Sequence, residues 1–168
     1  MLADRWGVTD AEVARRYPCD DLLPRPSLRA WRGVDVAAPA GHVWAWLGQV
    51  RLAPYSYDWI DNLGRRSPRT LRRLPDPVAG EPFTAIGGRP AGRILSVEPG
   101  VQLTGTILGA VLSYVIEPAG PDASRLLLKV ISRHPAVLVP ALCLGDLVMA
   151  RRQLRNLARL AERSWRTP

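Results

Sequence analysis

The C-terminal segment constrains the fold more than any other part of the sequence, because residues 139–164 predict one long amphipathic helix. Apolar residues recur there at the helical spacing and form a single stripe: Cys143, Leu147, Ala150, Leu154, Leu157 and Ala161. Five arginines fall on the opposite side: Arg152, Arg155, Arg159, Arg163 and Arg166. A helix with this pattern must lay its apolar stripe against another layer of structure. The rest of the chain therefore has to supply that layer.

A run of short β-strands is predicted before the helix. Apolar and polar residues alternate over residues 95–98, 101–107, 112–117 and 126–130, and turn residues separate these segments. Strands at such short spacing indicate an antiparallel meander. An earlier strand is predicted over residues 28–36, with Arg32 on its otherwise apolar side. Either Gly33 is a β-bulge, or Arg32 reaches into the interior.

The other predicted helices are short. Thr9 and Glu12 form a capping box that opens a helix through about Arg16. After the strand at 28–36, helices are expected over residues 39–49 and 56–63, the second ending at Gly64. With 168 residues the chain suits one domain of α+β class. We divide it into an N-terminal extension with a short helix (1–26) and a single domain (27–168).

The charge is unevenly distributed. The chain carries 23 basic residues, of which only Lys129 is a lysine, against 15 acidic ones, for a net charge of +8. Residues 65–73 hold Arg65, Arg66, Arg69, Arg72 and Arg73 and no acid, and residues 139–168 have a net charge of +4. A nucleic-acid-binding protein typically spreads its charge along a face, so no specific nucleic acid is expected. The two patches are either solvated surface or weak contacts to an anionic surface.

Several classes of site are disfavoured. His42 and His134 stand far apart, and the sequence has no Cys-x-x-Cys or metalloprotease motif. Residues 87–92 fit no phosphate-binding loop, so no cofactor is expected. Cys19 and Cys143 cannot form a disulfide scaffold. A triad of Cys143, His134 and Asp146 would require a proximity that a sequence does not show, and a buried thiol is usually inert.

The sequence also bears on location. The N-terminus lacks the apolar core of a signal peptide. The most apolar stretch, residues 135–150, is 16 residues long and contains Pro140 and Asp146. About 20 apolar residues are needed to cross a bilayer. We therefore expect a cytoplasmic protein without a transmembrane segment.

Three segments carry a resemblance to a known family. They are residues 34–39 (VDVAAP), 43–47 (VWAWL) with Gln49, and 55–60 (YSYDWI). Together with residues 6–13 and 124–128, they resemble the SRPBCC superfamily, also called START-like or polyketide-cyclase-like, and within it a bacterial subgroup of unassigned substrate. Cys19 departs from this pattern, in which a glycine is often found at that position.

The resemblance implies a helix-grip fold. In that fold a curved antiparallel sheet wraps around a long C-terminal helix, two short helices follow the first strand, and an apolar cavity lies between sheet and helix. Members bind lipids, sterols, polyketides or plant hormones, and some are cyclases or aromatases. The second short helix closes one end of the cavity.

Seven residues are predicted to bind a ligand, and none is assigned to catalysis or to a metal: Tyr57, Asp58, Trp59, Tyr114, Cys143, Asp146 and Met149. Tyr57 to Trp59 are gate candidates at the second short helix. Tyr114 faces the apolar side of its strand, so its hydroxyl needs a partner if it is buried. Asp146 either anchors a ligand hydroxyl or Arg32 at the cavity wall, or is a solvated residue near a helix N-terminus. His134 is either a polar cavity group or a strand-end residue.

Three functions remain open. The first is binding, transport or sequestration of a hydrophobic small molecule between sheet and helix. The second is a polyketide cyclase or dehydratase, which requires a convergent acid–base pair. The third is a basic interaction module that uses the 65–73 arginines against anionic lipid or nucleic acid. The sequence does not determine the oligomeric state.

Overall fold

The computed structural model describes residues 3–167 and shows an α+β fold. The strands are β1 (Arg5–Trp6), β2 (Leu28–Val36), β3 (Thr84–Ile86), β4 (Arg89–Ala91), β5 (Arg93–Glu98), β6 (Gln102–Ile107), β7 (Ala110–Gly120) and β8 (Ala123–Ser132). The α-helices are α1 (Asp10–Ala14), α2 (Ala40–Gly48), α3 (Asp58–Asp61) and α4 (Val139–Arg166). Short 3₁₀ helices cover Pro18–Asp21 and Gln49–Leu52.

Six strands form the main sheet in the order β1-β2-β8-β7-β6-β5. All neighbours pair antiparallel except the two-residue β1, which runs parallel to β2. The predicted fold class is confirmed, and α4 lies against β2 and α2 as a helix-grip arrangement requires. Two details differ from the sequence prediction. The second short helix is a single turn, and β3 and β4 form a separate hairpin over Gly87 and Gly88, both at positive φ.

The face of the sheet toward α4, called here the inner face, carries the main core. Alternate residues of the central strands point to this side, including Tyr114 on β7 and Leu128 on β8. The predicted stripe of α4 packs on them: Cys143, Ala150, Leu154, Leu157 and Ala161 are buried and Leu147 is half-buried. The helix lies on the sheet because this stripe and the alternating strand residues bury each other.

Arg32 reaches the interior, and Gly33 is not a bulge. β2 pairs with β8 without interruption from Leu28↔Ser132 to Val36↔Ser124, which places Arg32 on the inner face with no exposed side-chain surface. Gly33 instead allows the N-terminal chain to pass close to the backbone of β2. A Cβ at Gly33 would lie 2.9 Å from the carbonyl oxygen of Gly7 and 2.6 Å from Nη2 of Arg125. The N-terminal chain can therefore cross β2 only at a residue without a side chain.

The N-terminal segment covers the opposite, outer face of the sheet. The capping box is confirmed, since Thr9 Oγ1 accepts from the Glu12 N–H at 3.2 Å and Glu12 Oε2 accepts from the Thr9 N–H at 2.7 Å. Beyond α1, Tyr17 and Cys19 form a second, smaller core with outward-facing residues of the central strands: Val111, Val115, Leu127 and Ile131. The extension thus packs on the sheet, and the division at residues 26 and 27 stays a prediction.

Candidate functional site

A cavity of about 350 Å³ lies between the inner face of the sheet and α4. Its wall is mainly apolar and includes Leu28, Phe83, Leu112, Leu128, Val130, Leu142, Met149 and Ala150. Eight polar residues also contribute: Ser56, Asp61, Thr84, Tyr114, Ser132, His134, Asp146 and Gln153. Apolar walls with a few polar groups are typical of small-molecule sites, and about 300–1,000 Å³ is their usual volume.

One buried ion pair reaches the cavity wall. Nη2 of Arg32 donates to Oδ2 of Asp146 at 2.8 Å, and Asp146 is 20% exposed whereas Arg32 is not exposed. Arg32 also donates to the carbonyl oxygens of Asp4 and Trp31. Burial raises the pKa of Asp146, although the neighbouring guanidinium acts in the opposite direction. Among the described residues, Arg32 is thus the cation that stabilises the charged form of Asp146.

A chain of hydrogen bonds links the sheet to α4 beside the cavity. The buried hydroxyl of Tyr114 donates to Oε1 of Gln153, and Nε2 of Gln153 donates to the Pro54 carbonyl oxygen at 2.6 Å. Asn156, one turn along, donates to the carbonyl oxygens of Tyr55 and Ser56. Two amide side chains therefore fix the segment 54–56 against α4. Burial raises the pKa of Tyr114 well above its usual value, so the hydroxyl stays protonated.

Asp61, at the end of α3, is a second cavity carboxyl group. Its Oδ1 is buried and has no hydrogen-bond partner within residues 3–167, and burial raises the pKa of the group. Ser56 also lines the cavity, and its hydroxyl donates to Sδ of Met149 at 3.7 Å. Sequence reasoning missed Asp61. No pattern marks it, because the sequence does not show which residue of the one-turn α3 faces the cavity.

The structure brings together only part of the predicted set. Tyr114, Asp146 and Met149 line the cavity, as do Ser132 and His134. Cys143 does not belong to its wall. The thiol is fully buried and donates to the Ala3 carbonyl oxygen at 3.3 Å, because its place on the α4 stripe directs it toward the N-terminal chain. Among the described residues no hydrogen bond joins Cys143 to His134 or Asp146, so the hydrogen-bonded arrangement of a triad is not present.

The gate candidates lie in a second depression, on the outside of the molecule. Tyr57, Asp58 and Trp59 line a surface groove of about 530 Å³, called here the arginine groove. Its other wall is α4, and the complete lining is Tyr55, Ser56, Tyr57, Asp58, Trp59, Ser67, Pro68, Arg69, Arg152, Asn156, Arg159, Leu160 and Arg163. Ser56 is the residue common to the cavity and the groove. The pinned segment 54–56 thus forms part of the wall between the two.

In residues 3–167, no group of three or more His, Cys, Asp or Glu side chains is placed to hold a metal ion. Over the same residues, none of the helices has the length and apolarity that crossing a membrane requires.

Comparison with known proteins identifies the fold. No family model and no curated protein matches the sequence. Among solved structures, proteins from Mesorhizobium loti and Nitrosomonas europaea each superpose with a TM-score of 0.55, at 16% and 13% identity. The alignments cover 81% and 82% of this chain and 98% and 96% of theirs. An AHSA1-like protein from Rhizobium etli has a TM-score of 0.50 at 14% identity, covering 80% of this chain and 82% of its own. The chain therefore shares its fold with these proteins, one of which is AHSA1-like, in agreement with the helix-grip fold expected from the sequence.

Proposed function

We propose that the protein binds a hydrophobic small molecule in the cavity between the sheet and α4. One observation carries this proposal: a space of about 350 Å³ with a mainly apolar wall lies where this fold leaves room between its two layers. That space is far larger than the roughly 30 Å³ that one water occupies in the liquid. A ligand that fills it removes apolar surface from water, worth about 25 cal/mol per Å². Lipids and polyketides are the candidate classes.

The polar groups of the cavity would orient the ligand. Asp61 has a buried oxygen without a hydrogen-bond partner among residues 3–167, and Asp146 has one oxygen outside its bond to Arg32. Ionised carboxylates accept hydrogen bonds and do not donate them. A ligand with a hydroxyl or amine at one end and an apolar body would satisfy both the wall and these acceptors.

A cavity-filling substitution tests the proposal. Val130 lies on the inner face of β8, is 5% exposed and lines the cavity. V130F places a ring in the empty space, so affinity for the neutral probe N-phenyl-1-naphthylamine should fall at least tenfold while the melting temperature is retained. V101F is the matched control, because Val101 is 41% exposed and lies outside the cavity. Parental probe affinity in V130F, or an equal loss in V101F, would contradict binding at this site.

A cyclase or dehydratase is the second candidate, favoured by the convergence of Tyr114, His134 and Asp146 on one cavity. In a dehydration, a base removes the proton next to a carbonyl, and the β-hydroxyl leaves as water with a proton from an acid. Asp146 would be the base and Tyr114 or His134 the acid. The test is conversion of a β-hydroxyacyl thioester to the unsaturated thioester. Activity lost in D146N and kept in W59F would support an enzyme, and no conversion by the parent protein would count against it.

The third candidate is weak contact of the 65–73 arginines with an anionic surface. Four of them, Arg66, Arg69, Arg72 and Arg73, are exposed with no side-chain ion pair among residues 3–167, and Arg65 donates to the Gly87 carbonyl oxygen. The loop presents its charge to solvent, as such a contact requires. Binding that weakens steeply with added salt and is lost when these arginines are replaced would support it. The cytoplasmic location also stays a prediction.

A further inference from the structure

The fold merges the two arginine patches that are separate in the sequence. Arg69 comes from the 65–73 loop, whereas Arg152, Arg159 and Arg163 come from α4, and all four line the arginine groove. Each is exposed, and none forms an ion pair within the described residues. Sequence spacing does not show this convergence, because the two segments lie about eighty positions apart along the chain.

The acids near the groove do not neutralise it. Asp58 is the one acid of the lining, against four arginines, which leaves a net charge of +3. Its carboxylate is already occupied, since it accepts from both the backbone N–H and the hydroxyl of Ser67. Glu162, beside Arg163 on α4, accepts instead from the Ala37 N–H in the chain between β2 and α2. Guanidinium donors therefore line the groove without matching acceptors from the described part of the chain.

The helix spacing concentrates the charge on one side. Arg152, Arg159 and Arg163 follow at intervals of seven and four residues, which places them on one face of α4 with Asn156. Like charges four residues apart, as in Arg159 and Arg163, destabilise a helix slightly. A bound anion would remove that repulsion and accept hydrogen bonds from several guanidinium groups at once.

We propose that the arginine groove binds a ligand that carries a phosphate group. A phosphate monoester has about two negative charges near pH 7 and three strong acceptor oxygens, which suits several arginines better than one carboxylate does. The opposite wall supplies aromatic rings for the organic part of the ligand. Trp59 is 75% exposed, and the guanidinium of Arg152 lies 5.5 Å from the ring centre of Tyr57. The phosphate belongs either to a soluble ester or to a lipid headgroup.

This site does not depend on the proposed cavity ligand. The segment 54–56, fixed by Gln153 and Asn156, forms part of the wall between groove and cavity. V130F should therefore lower the affinity for the apolar probe at least tenfold and leave phosphate binding unchanged. The two proposals can fail separately.

Titration calorimetry with inorganic phosphate and 1-naphthyl phosphate is the first test. We expect saturable binding, with affinity lowered at least tenfold in R159Q/R163Q, because the phosphate loses the charge-assisted hydrogen bonds of two guanidinium groups. R29Q/R89Q is the matched control: it removes the same charge from two exposed arginines outside the groove. R69Q, which changes the other element of the site, should weaken binding severalfold.

Flotation with phosphatidylcholine vesicles, with and without phosphatidic acid, distinguishes the two sources of phosphate. Binding of the soluble ester indicates a metabolite, and binding only to vesicles that contain phosphatidic acid indicates a headgroup. Both results support the site if R159Q/R163Q abolishes them. Equal losses in R159Q/R163Q and R29Q/R89Q would overturn the proposal, as would full affinity in R69Q. Absence of binding to every probe would overturn it as well.

Discussion

Successive residues of the central strands point to opposite faces of the sheet, and these two faces are packed differently. On the outer face, the N-terminal segment fills the surface with Tyr17 and Cys19, both nearly or fully buried. On the inner face, α4 leaves a cavity, because small side chains such as Ala110, Ser132 and Ala150 lie where larger ones would close the gap. The filled outer face indicates a structural role, whereas the inner face contains the cavity that we propose as the binding site.

The faces also differ in how they hold charge. Three ion pairs join the N-terminal segment to the outer face: Glu12–Arg125, Asp20–Lys129 and Arg15–Glu117. Each has an acid that keeps between 15% and 43% of its side-chain surface exposed. The inner face has the pair Arg32–Asp146, whose cation is not exposed at all. Removal of the acid should therefore cost more on the inner face, since the remaining Arg32 cation cannot reach water.

The largest effect is expected for D146A, which leaves the buried guanidinium of Arg32 without its counter-ion. Removal of one partner of a buried ion pair typically destabilises a protein by about 3–5 kcal/mol. Arg32 keeps its hydrogen bonds to the Asp4 and Trp31 carbonyl oxygens, so we expect a loss at the lower end of that range. We expect the free energy of unfolding, measured in urea, to fall by about 3 kcal/mol.

A double variant sharpens this prediction. R32M/D146L replaces the pair with apolar side chains of similar size, which is often neutral or stabilising. It should recover most of the stability that D146A loses. If the double variant is as unstable as D146A, the loss comes from packing rather than from the unpaired charge.

A smaller effect is expected for K129M on the outer face. Methionine replaces the ammonium, which lies 5.2 Å and 5.1 Å from the ring centres of Tyr17 and Trp31, with a thioether that also packs favourably on aromatic rings. Asp20 stays 28% exposed and still accepts from the Tyr17 N–H at 2.8 Å. The freed carboxylate is thus hydrated, and urea unfolding should show a loss of about 1 kcal/mol or less. A loss equal to that of D146A would contradict the distinction between the faces.

The smallest effects are expected from pH, and they have opposite signs on the two faces. The hydrogen bond from Arg125 lowers the pKa of Glu12 from its usual value of 4.5, so its stabilisation is present above that value and is lost as the pH falls through the folded-state pKa. Burial raises the pKa of Asp146 above 3.8, so stability falls as the pH rises from 3.8 through the folded-state value.

Carboxyl-carbon NMR as a function of pH measures both groups in one sample. Glu12 should titrate below its usual value and Asp146 above its own, and E12Q and D146N assign the two signals. Unfolding of the same variants in urea at several pH values gives the matching change in stability. Titration of Asp146 below 3.8 would show that Arg32 outweighs burial, which would contradict the present interpretation.

Part of this architecture was accessible from the sequence. Alternation located β2 with its observed bounds, and the apolar stripe located α4 to within two residues at its C-terminal end. The capping box at Thr9 and Glu12 marked α1. The outer core was missed, although apolar Val115 and Leu127 on the supposedly polar side of their strands were a signal for it. The glycine pair at 87–88 was likewise an available signal for the β3–β4 hairpin.

The sequence by itself determined β2, the strands β5 to β8, the long helix, and the position of Arg32 on an apolar strand face, because these follow from the fixed periods of the backbone. Only the tertiary structure decided which side chains meet. It paired Arg32 with Asp146, turned Cys143 away from the cavity, directed Asp61 into it, and joined Arg69 to the arginines of α4. These contacts depend on how the layers pack and on the paths of the loops between them, and the local periodicity of the sequence does not encode either.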